Sequence, residues 1–401
     1  MMDQEHTLLG DEEQLWEAWE SLDPNSFIYQ VQNGRKGNNA GINNGLNTVN
    51  KYIYGTQKAT YYLCGADSGV GKTTLIDYMY VLSTWIFAKK KGVPIRIYYC
   101  SFEISKAQKI ARWVSFYIYL TTGKSVPSSY ILGRIPGMKP SDEDMPLVIN
   151  AHKMVKKMLK DIVIIDVPLT PTNIYETLLT AYYEVNGKLE RRKISAAAEK
   201  KGHKGEIVKY IPNDPNAMCV LVIDHLALLE EEFGLTTKQN IDKMSRLAIK
   251  LRNICSTTIV GIQQFSTDLL QHKREQISKL SSNKRAFAIL PNRLDFGETK
   301  IPYRDADVVF GLVKPFLFDI ENFNGLQTTA VAHGGLGGYV IVFCLLKNRN
   351  GGDTKMIPLF IDPIAGAIED IPSPENEDSL IPYYTKAKLL EQIMYKYSPK
   401  D

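Results

Sequence analysis

The sequence predicts an α/β protein with a mainly parallel central sheet flanked by helices, and three features of the chain predict it. Short, continuously apolar runs recur from residue 60 onward. Longer segments of helical periodicity fill several of the gaps between them, and the first apolar run enters a glycine-containing loop that leads into a helix. A strand whose successive residues are all apolar is buried on both faces, and a parallel sheet under crossover helices provides that environment.

The elements follow in order. Residues 11–22 (DEEQLWEAWESL) place Leu15, Trp19 and Leu22 on one helical face, with carboxylates in the first turn, and predict an amphipathic helix ahead of the core. The Gly- and Asn-rich stretch 32–47 reads as a linker or turn-rich loop. Strands are predicted at 60–65, 95–101, 162–166, 218–223, 258–262, 307–313 and 339–346, with helices at 72–90, 104–121, 144–160, 173–185 and 238–255. Two basic insertions read as surface loops: residues 188–209 carry eight Lys/Arg against three Glu, and residues 268–293 carry six against two acids. Residues 366–378 read as an acidic, Pro-containing linker, followed by a short helix at about 384–397. The predicted division is an N-terminal extension at 1–50, one large domain at 51–363 with its basic insertion at about 186–212, and an acidic linker with a C-terminal helix at 364–401.

A net charge of +4 identifies no partner, but its distribution is uneven. From Asp3 to Asp23 every charged side chain is acidic, and between Lys355 and Lys386 there are only carboxylates, so the basic charge lies in the middle of the chain. The five cysteines show no CxxC pairing and no His at metal-ligand spacing, which fits small buried hydrophobes in a reducing compartment. No apolar run approaches the ~18 residues that a membrane span requires. The N-terminus has no apolar signal core, so the expected location is the cytoplasm, with no membrane partner.

The chemistry centres on Ala66-Asp67-Ser68-Gly69-Val70-Gly71-Lys72-Thr73, which lies between a predicted strand and a predicted helix, the context that a phosphate-binding loop needs. Small residues at Ala66, Gly69 and Gly71 let successive backbone N–H groups face a phosphate; Ser68, Val70 and Thr74 complete the cradle. Lys72 is expected to reach the β- and γ-phosphates of ATP, and the Thr73 hydroxyl to ligate Mg²⁺. Such a loop also needs an acid at a second strand end. Val220–Ile223 followed by Asp224 supplies one, and Asp166 is the runner-up, as a loop cap or structural carboxylate. Glu103 lies just past the strand 95–101 and is the candidate to orient or deprotonate an attacking water. Gln264 ends the strand 258–262 region as a candidate γ-phosphate sensor. Lys347 and Arg349 stand at alternate positions near another strand end, where an oligomer would use them as a finger on a neighbour's nucleotide and a monomer as surface cations.

Taken together, this ordered set resembles the motor domain of DnaB-like hexameric replicative helicases, which belong to the RecA-like P-loop ATPases. The resemblance covers roughly residues 40–362. The phosphate loop begins with Ala66 and ends in Gly71-Lys72-Thr73; Cys100-Ser101-Phe102-Glu103-Ile104-Ser105 matches the strand-end motif with the catalytic Glu, and Arg112 follows in the next helix. Ile223-Asp224-His225-Leu226 resembles the family's Walker B segment, although Tyr more often follows the Asp. Gln264 falls on the sensor Gln, Arg304-Asp305-Ala306-Asp307 on the end of the DNA-contacting loop, and Lys347 and Arg349 on the trans-acting Lys-x-Arg pair.

The resemblance implies a motor that hydrolyses ATP with Mg²⁺. It further implies a homo-oligomer, a hexamer in the family, with nucleotide at subunit interfaces and 5′→3′ movement on single-stranded DNA. Lys273, Arg274, Lys279, Lys284, Arg285, Arg293 and Lys300 in the basic loops are the DNA-binding candidates. A primase, a loader or a single-strand-binding protein is the protein partner to expect. Three departures stand out. The primase-binding N-terminal domain has no counterpart in the first fifty residues, the 188–209 insertion is not part of the pattern, and residues 265–267 and 296–300 differ from the usual DNA-loop residues. The compact form looks most like a phage or mobile-element version. Two alternatives stay open: a RecA- or RadA-like recombination ATPase, and a KaiC-type ATP-gated regulatory module.

Overall fold

The seven apolar runs form strands whose ends fall within two residues of the sequence reading. The structure, a computed structural model, describes residues 27–37, 39–195, 204–266, 280, 282–349, 351 and 354–398; the helix expected at 11–22 lies outside the described residues. In chain order the strands are β1 (Tyr61–Ala66), β2 (Ile95–Ser101), β3 (Ile162–Ile165), β4 (Gly187–Arg191), β5 (Ile207–Pro212), β6 (Met218–Asp224), β7 (Thr258–Gln264), β8 (Val308–Val313), β9 (Asn322–Phe323), β10 (Leu326–Gln327), β11 (Val340–Asn348), β12 (Lys355–Asp362) and β13 (Ala367–Asp370). Nine of them make one sheet in the order β13-β12-β11-β8-β1-β7-β6-β2-β3. From β3 across to β8 every pairing is parallel, and β11, β12 and β13 add an antiparallel flank. Every residue of β1, β6 and β8 is buried, as their apolar runs require, and Asp224 at the end of β6 is buried with them.

Crossover helices cover the sheet. The first begins at Lys72–Ile76, continues as a π-helical stretch at Asp77–Ser83, and ends at Thr84–Lys90. The helix Lys106–Thr122 starts at a capping box between Ser105 and Gln108, and stops at Gly123, whose φ of 71° favours glycine. The helix Thr237–Cys255 starts with the same device, made by Thr236 and Gln239. All five cysteines are buried thiols.

Three sequence readings need correction. The supposed linker at 366–378 contains β13, which pairs antiparallel with β12 and buries Ala367 and Ile368. Two apolar residues followed by two acids are too short a signal to announce a strand. The C-terminal helix is longer than expected, Glu377–Lys396, capped by Asn376 and carrying Pro382 in its second turn. Leu380, Ala387 and Leu390 pack it against Tyr339 and Phe360, and that burial outweighs the hydrogen bond lost at the proline. The basic insertion is not simply a surface loop. Its ends, β4 and β5, pair as an antiparallel ribbon anchored by buried Ile207 and Tyr210, while residues 196–203 lie outside the described residues.

Candidate nucleotide-binding site

The parallel strands deliver their C-terminal ends to one edge of the sheet, and the phosphate loop lies there. β1 carries six buried residues into the loop, and buried Val70 anchors it from below while Ser68 and Gly69 stay exposed. Gly71 has φ 111°, and a Cβ there would come within 2.9 Å of Ile361, so this turn accepts glycine and little else. The Lys72 ammonium folds back over the loop and donates to the Asp67 carbonyl at 2.7 Å. Burial lowers its pKa, while Glu103, Asp67 and Asp224 act in the opposite direction.

The acids arrive through strand pairing. Asp224 ends β6 opposite Ser101 of β2, which puts Glu103 two residues beyond that pair. The Thr73 hydroxyl donates to Asp224 Oδ1 at 3.2 Å, so the two predicted metal ligands are in contact. Glu103 is exposed at the strand end, and its charge acts on both Lys72 and His225. His225 follows Asp224 across a cis peptide; its Nδ1 is buried and finds no hydrogen-bond partner among the described residues, and burial lowers its pKa. Asp166 accepts from the Lys106 amide at 2.7 Å, and so caps the helix Lys106–Thr122.

Gln264 pairs with Ala66 at the end of β7, beside the phosphate loop. Its neighbour Gln263 is buried and donates from Nε2 to the Gly297 and Thr299 carbonyls, tying the 293–300 segment to this edge. Phe265 and Phe296 stack edge to face at 5.2 Å above Gly65, where a Cβ would meet both rings within 2.5 Å. Sequence reasoning missed Gly65, Gln263 and this aromatic pair; a glycine inside an apolar strand was the available signal.

A second group was also missed. Lys109 is fully buried and lies between two carboxylates, 3.2 Å from Asp77 and 3.7 Å from Asp224. It donates to the Tyr99 hydroxyl at 2.8 Å, Tyr99 donates to Asp224 Oδ2 at 3.0 Å, and the Trp113 indole donates to Asp77 at 3.2 Å. Burial, reinforced by Asp224 and Asp77, holds the Tyr99 phenol well above its ordinary range. An unpartnered ammonium at this depth would cost several kcal/mol, and the two carboxylates offset it. The clue in the sequence was a lysine in helical register with Trp113, Phe116 and Tyr117, on what is otherwise the apolar face of that helix.

Lys347 and Arg349 do not join this site. β11 runs antiparallel to β8, and Asn348 pairs with Val308 at the start of that strand, so both cations stand at the opposite edge of the sheet. There Lys347 Nζ donates to the Tyr303, Arg304 and Ala306 carbonyls, and Arg349 binds Asp307 and the Arg304 carbonyl. Among the DNA-binding candidates, Lys273, Arg274 and Lys279 lie outside the described residues. Lys284 and Arg293 are exposed, whereas Arg285 donates to the Leu280 carbonyl and Lys300 to those of Leu294 and Phe296.

A parallel sheet with a phosphate loop after β1 and an acid ending β6 is the RecA-like P-loop fold. Solved structures narrow it to the fold of the DnaB-like motor domain. A DnaB-like replicative helicase, solved with its interactions with primase in view, superposes with a TM-score of 0.58 at 16% identity, over 86% of this chain and 65% of that one. The chain thus spans about two-thirds of that helicase's length, 65%. The solved ATPase domain of a second protein gives a TM-score of 0.57 at 16% identity, over 90% of this chain and 99% of that domain. A KaiC-like protein from the hyperthermophilic archaeon Pyrococcus horikoshii gives 0.42 at 16% identity, over 82% and 98%. No protein-family model matches the sequence, and no curated protein matches it. Among the described residues no helix is long and apolar enough to cross a membrane.

Proposed function

We propose that the chain is an ATP-dependent DNA helicase motor that forms a ring, moves along single-stranded DNA and unwinds duplex. The observation that carries this reading is the division of the site. Lys72, Thr73, Asp224 and Glu103 gather at one edge of the sheet, while the cations that would complete a hydrolytic centre stand at the other. No chain of this geometry can bring its own Arg349 to its own Lys72 without dismantling the sheet, so in this reading a neighbouring subunit supplies the cations. A closed ring of head-to-tail contacts supplies one to every site.

The donor set fits Mg²⁺. A hydroxyl and a carboxylate oxygen face each other at Thr73 and Asp224, both hard oxygen ligands. Among the described residues no group of three or more His, Cys, Asp or Glu offers an all-protein cage, which suits a metal that keeps phosphate and water ligands. Bound there, the ion would neutralise charge on the phosphates. The chain's own groups do the rest: the loop amides and Lys72 bind phosphate, Glu103 orients the attacking water and takes its proton, and Gln264 senses the γ-phosphate. Exposed Lys284 and Arg293 grip the DNA backbone, together with Lys273, Arg274 and Lys279.

The test compares ATPase rate with and without single-stranded DNA, and unwinding of a forked duplex. DNA-stimulated hydrolysis with unwinding that disappears in Lys72→Ala is the expected result. Strand pairing without unwinding would point to a recombination ATPase, and hydrolysis indifferent to DNA would overturn the motor reading.

A further inference from the structure

We infer that Lys109 is a positioning residue for the metal-ligating carboxylate: with Tyr99 and Asp77 it clamps Asp224 so that one oxygen is held for the metal and the other is engaged beneath it. The inference rests on reading Thr73 and Asp224 as the metal side of a nucleotide site. The two oxygens of Asp224 have separate surroundings. Oδ1 faces the Thr73 hydroxyl at 3.2 Å; Oδ2 accepts from Tyr99 at 3.0 Å and stands 3.7 Å from the Lys109 ammonium. Two attachments on one oxygen fix the plane of the carboxylate, and with it the direction in which the other oxygen points.

The same ammonium reaches the second ligand through its helix. Asp77 lies four residues after Thr73 on the same helical run, and Lys109 binds both of its oxygens, at 3.2 and 3.3 Å. Lys109 itself stands on the helix that begins just after Glu103. One buried cation therefore joins the three elements that carry Thr73, Asp224 and Glu103. Its side chain is 0% exposed, and those of its two carboxylate partners are 7% and 1% exposed, so water does not compete for these bonds. A lysine that served packing alone would need one partner; this one is shared between the supports of both metal ligands.

Removing Lys109 alone deprives two buried carboxylates of their shared cation, and Lys109→Met is a poor test because it can fail by unfolding. The paired variant Asp77→Asn/Lys109→Met keeps the net buried charge at one negative and nearly conserves volume, while the ammonium's hold on Asp224 is lost and only the Tyr99 bond to Oδ2 remains. Tyr99→Phe is the milder companion, deleting only the hydroxyl that donates to Oδ2. The measurement is Mn²⁺ binding in the presence of ADP, followed by electron paramagnetic resonance, beside binding of a fluorescent ADP in EDTA. In the paired variant the Mn²⁺ concentration for half-occupancy should rise about tenfold or more, with a smaller rise in Tyr99→Phe. Metal-free ADP affinity should stay at the wild-type value, because the loop amides and Lys72 are untouched. ATPase activity of both variants should recover as Mg²⁺ is raised, which a general loss of packing would not allow. Wild-type Mn²⁺ affinity in both variants would overturn the positioning role and leave the nucleotide site standing. Failure of the wild-type chain to bind Mn²⁺ with ADP would overturn the site and the inference together.

Discussion

The two edges of the central sheet carry similar residue types under opposite conditions. At the C-terminal edge of the parallel strands, Lys72, Thr73, Glu103 and Asp224 converge around a glycine loop, and the carboxylate is fixed from beneath by buried Lys109 and Tyr99. At the N-terminal edge, Lys347 and Arg349 are held by backbone carbonyls and Asp307, which also bonds Arg252 and the Tyr61 amide. Arg349 remains half-exposed there, with 47% of its side chain accessible. One edge gathers the glycine loop, its lysine and two acids; the other presents two cations held by carbonyls and Asp307. The difference teaches that this fold separates its glycine loop and strand-end acids from the Lys347/Arg349 pair by the height of the sheet, which is the separation the proposed ring would bridge.

The largest expected effect breaks the first half alone. Glu103→Gln should lower the ATPase rate about a thousandfold while leaving nucleotide affinity nearly unchanged, because it removes a proton acceptor and no phosphate contact. A loss of only a few-fold would mean that the C-terminal edge is not where water is activated.

A second experiment asks whether the halves meet between chains. Lys72→Ala and Arg349→Ala should each be inactive alone. Mixed in equal amounts and allowed to exchange subunits, they should regain roughly a quarter of the wild-type rate, since one interface in four then pairs an intact loop with an intact finger. Recovery of nothing, with mixed rings demonstrated by mass, would place the finger elsewhere.

The smallest effect concerns the environment of Lys347. Burial, with Arg349 beside it, pushes its pKa down to about 8. Between that value and the ordinary lysine pKa of about 10.4, the unfolded chain retains a proton that the folded chain has released. Stability should therefore rise with pH across this window, and the cost of keeping the ammonium charged is felt in full below it. Urea unfolding of the wild type and of Lys347→Met, at intervals from pH 7 to about 10, should show a steeper rise for the wild type. Parallel curves would mean that Lys347 is not held in the desolvated position described.

Much of the C-terminal edge was legible because its signals are local. An apolar strand followed by a glycine loop and Gly71-Lys72-Thr73 dictates its own conformation, and Asp224 and Glu103 each sit at the end of a readable strand. The supports were less legible. Lys109 looks in the sequence like one of several cations in a helix; only its register with Trp113 and Phe116 hints that it points inward, and nothing local names Asp77 as its partner. Arg285 and Lys300 carry the charge expected of DNA contacts but spend their hydrogen bonds on nearby carbonyls. That choice depends on how the loop folds back on itself, which composition does not encode.

The sequence by itself determined the α/β alternation, the phosphate loop at Ala66–Thr73 and the acids that follow two strands, because each depends on residues a few positions apart. Tertiary structure decided the strand order, the antiparallel flank with β13, and the burial of Lys109 between Asp77 and Asp224. It also decided that Lys347 and Arg349 face away from Lys72. The physical reason is the direction of β11. Reversing one strand moves its end across the full height of the sheet, and no property of the residues Lys347-Asn348-Arg349 records which way the strand beside them runs.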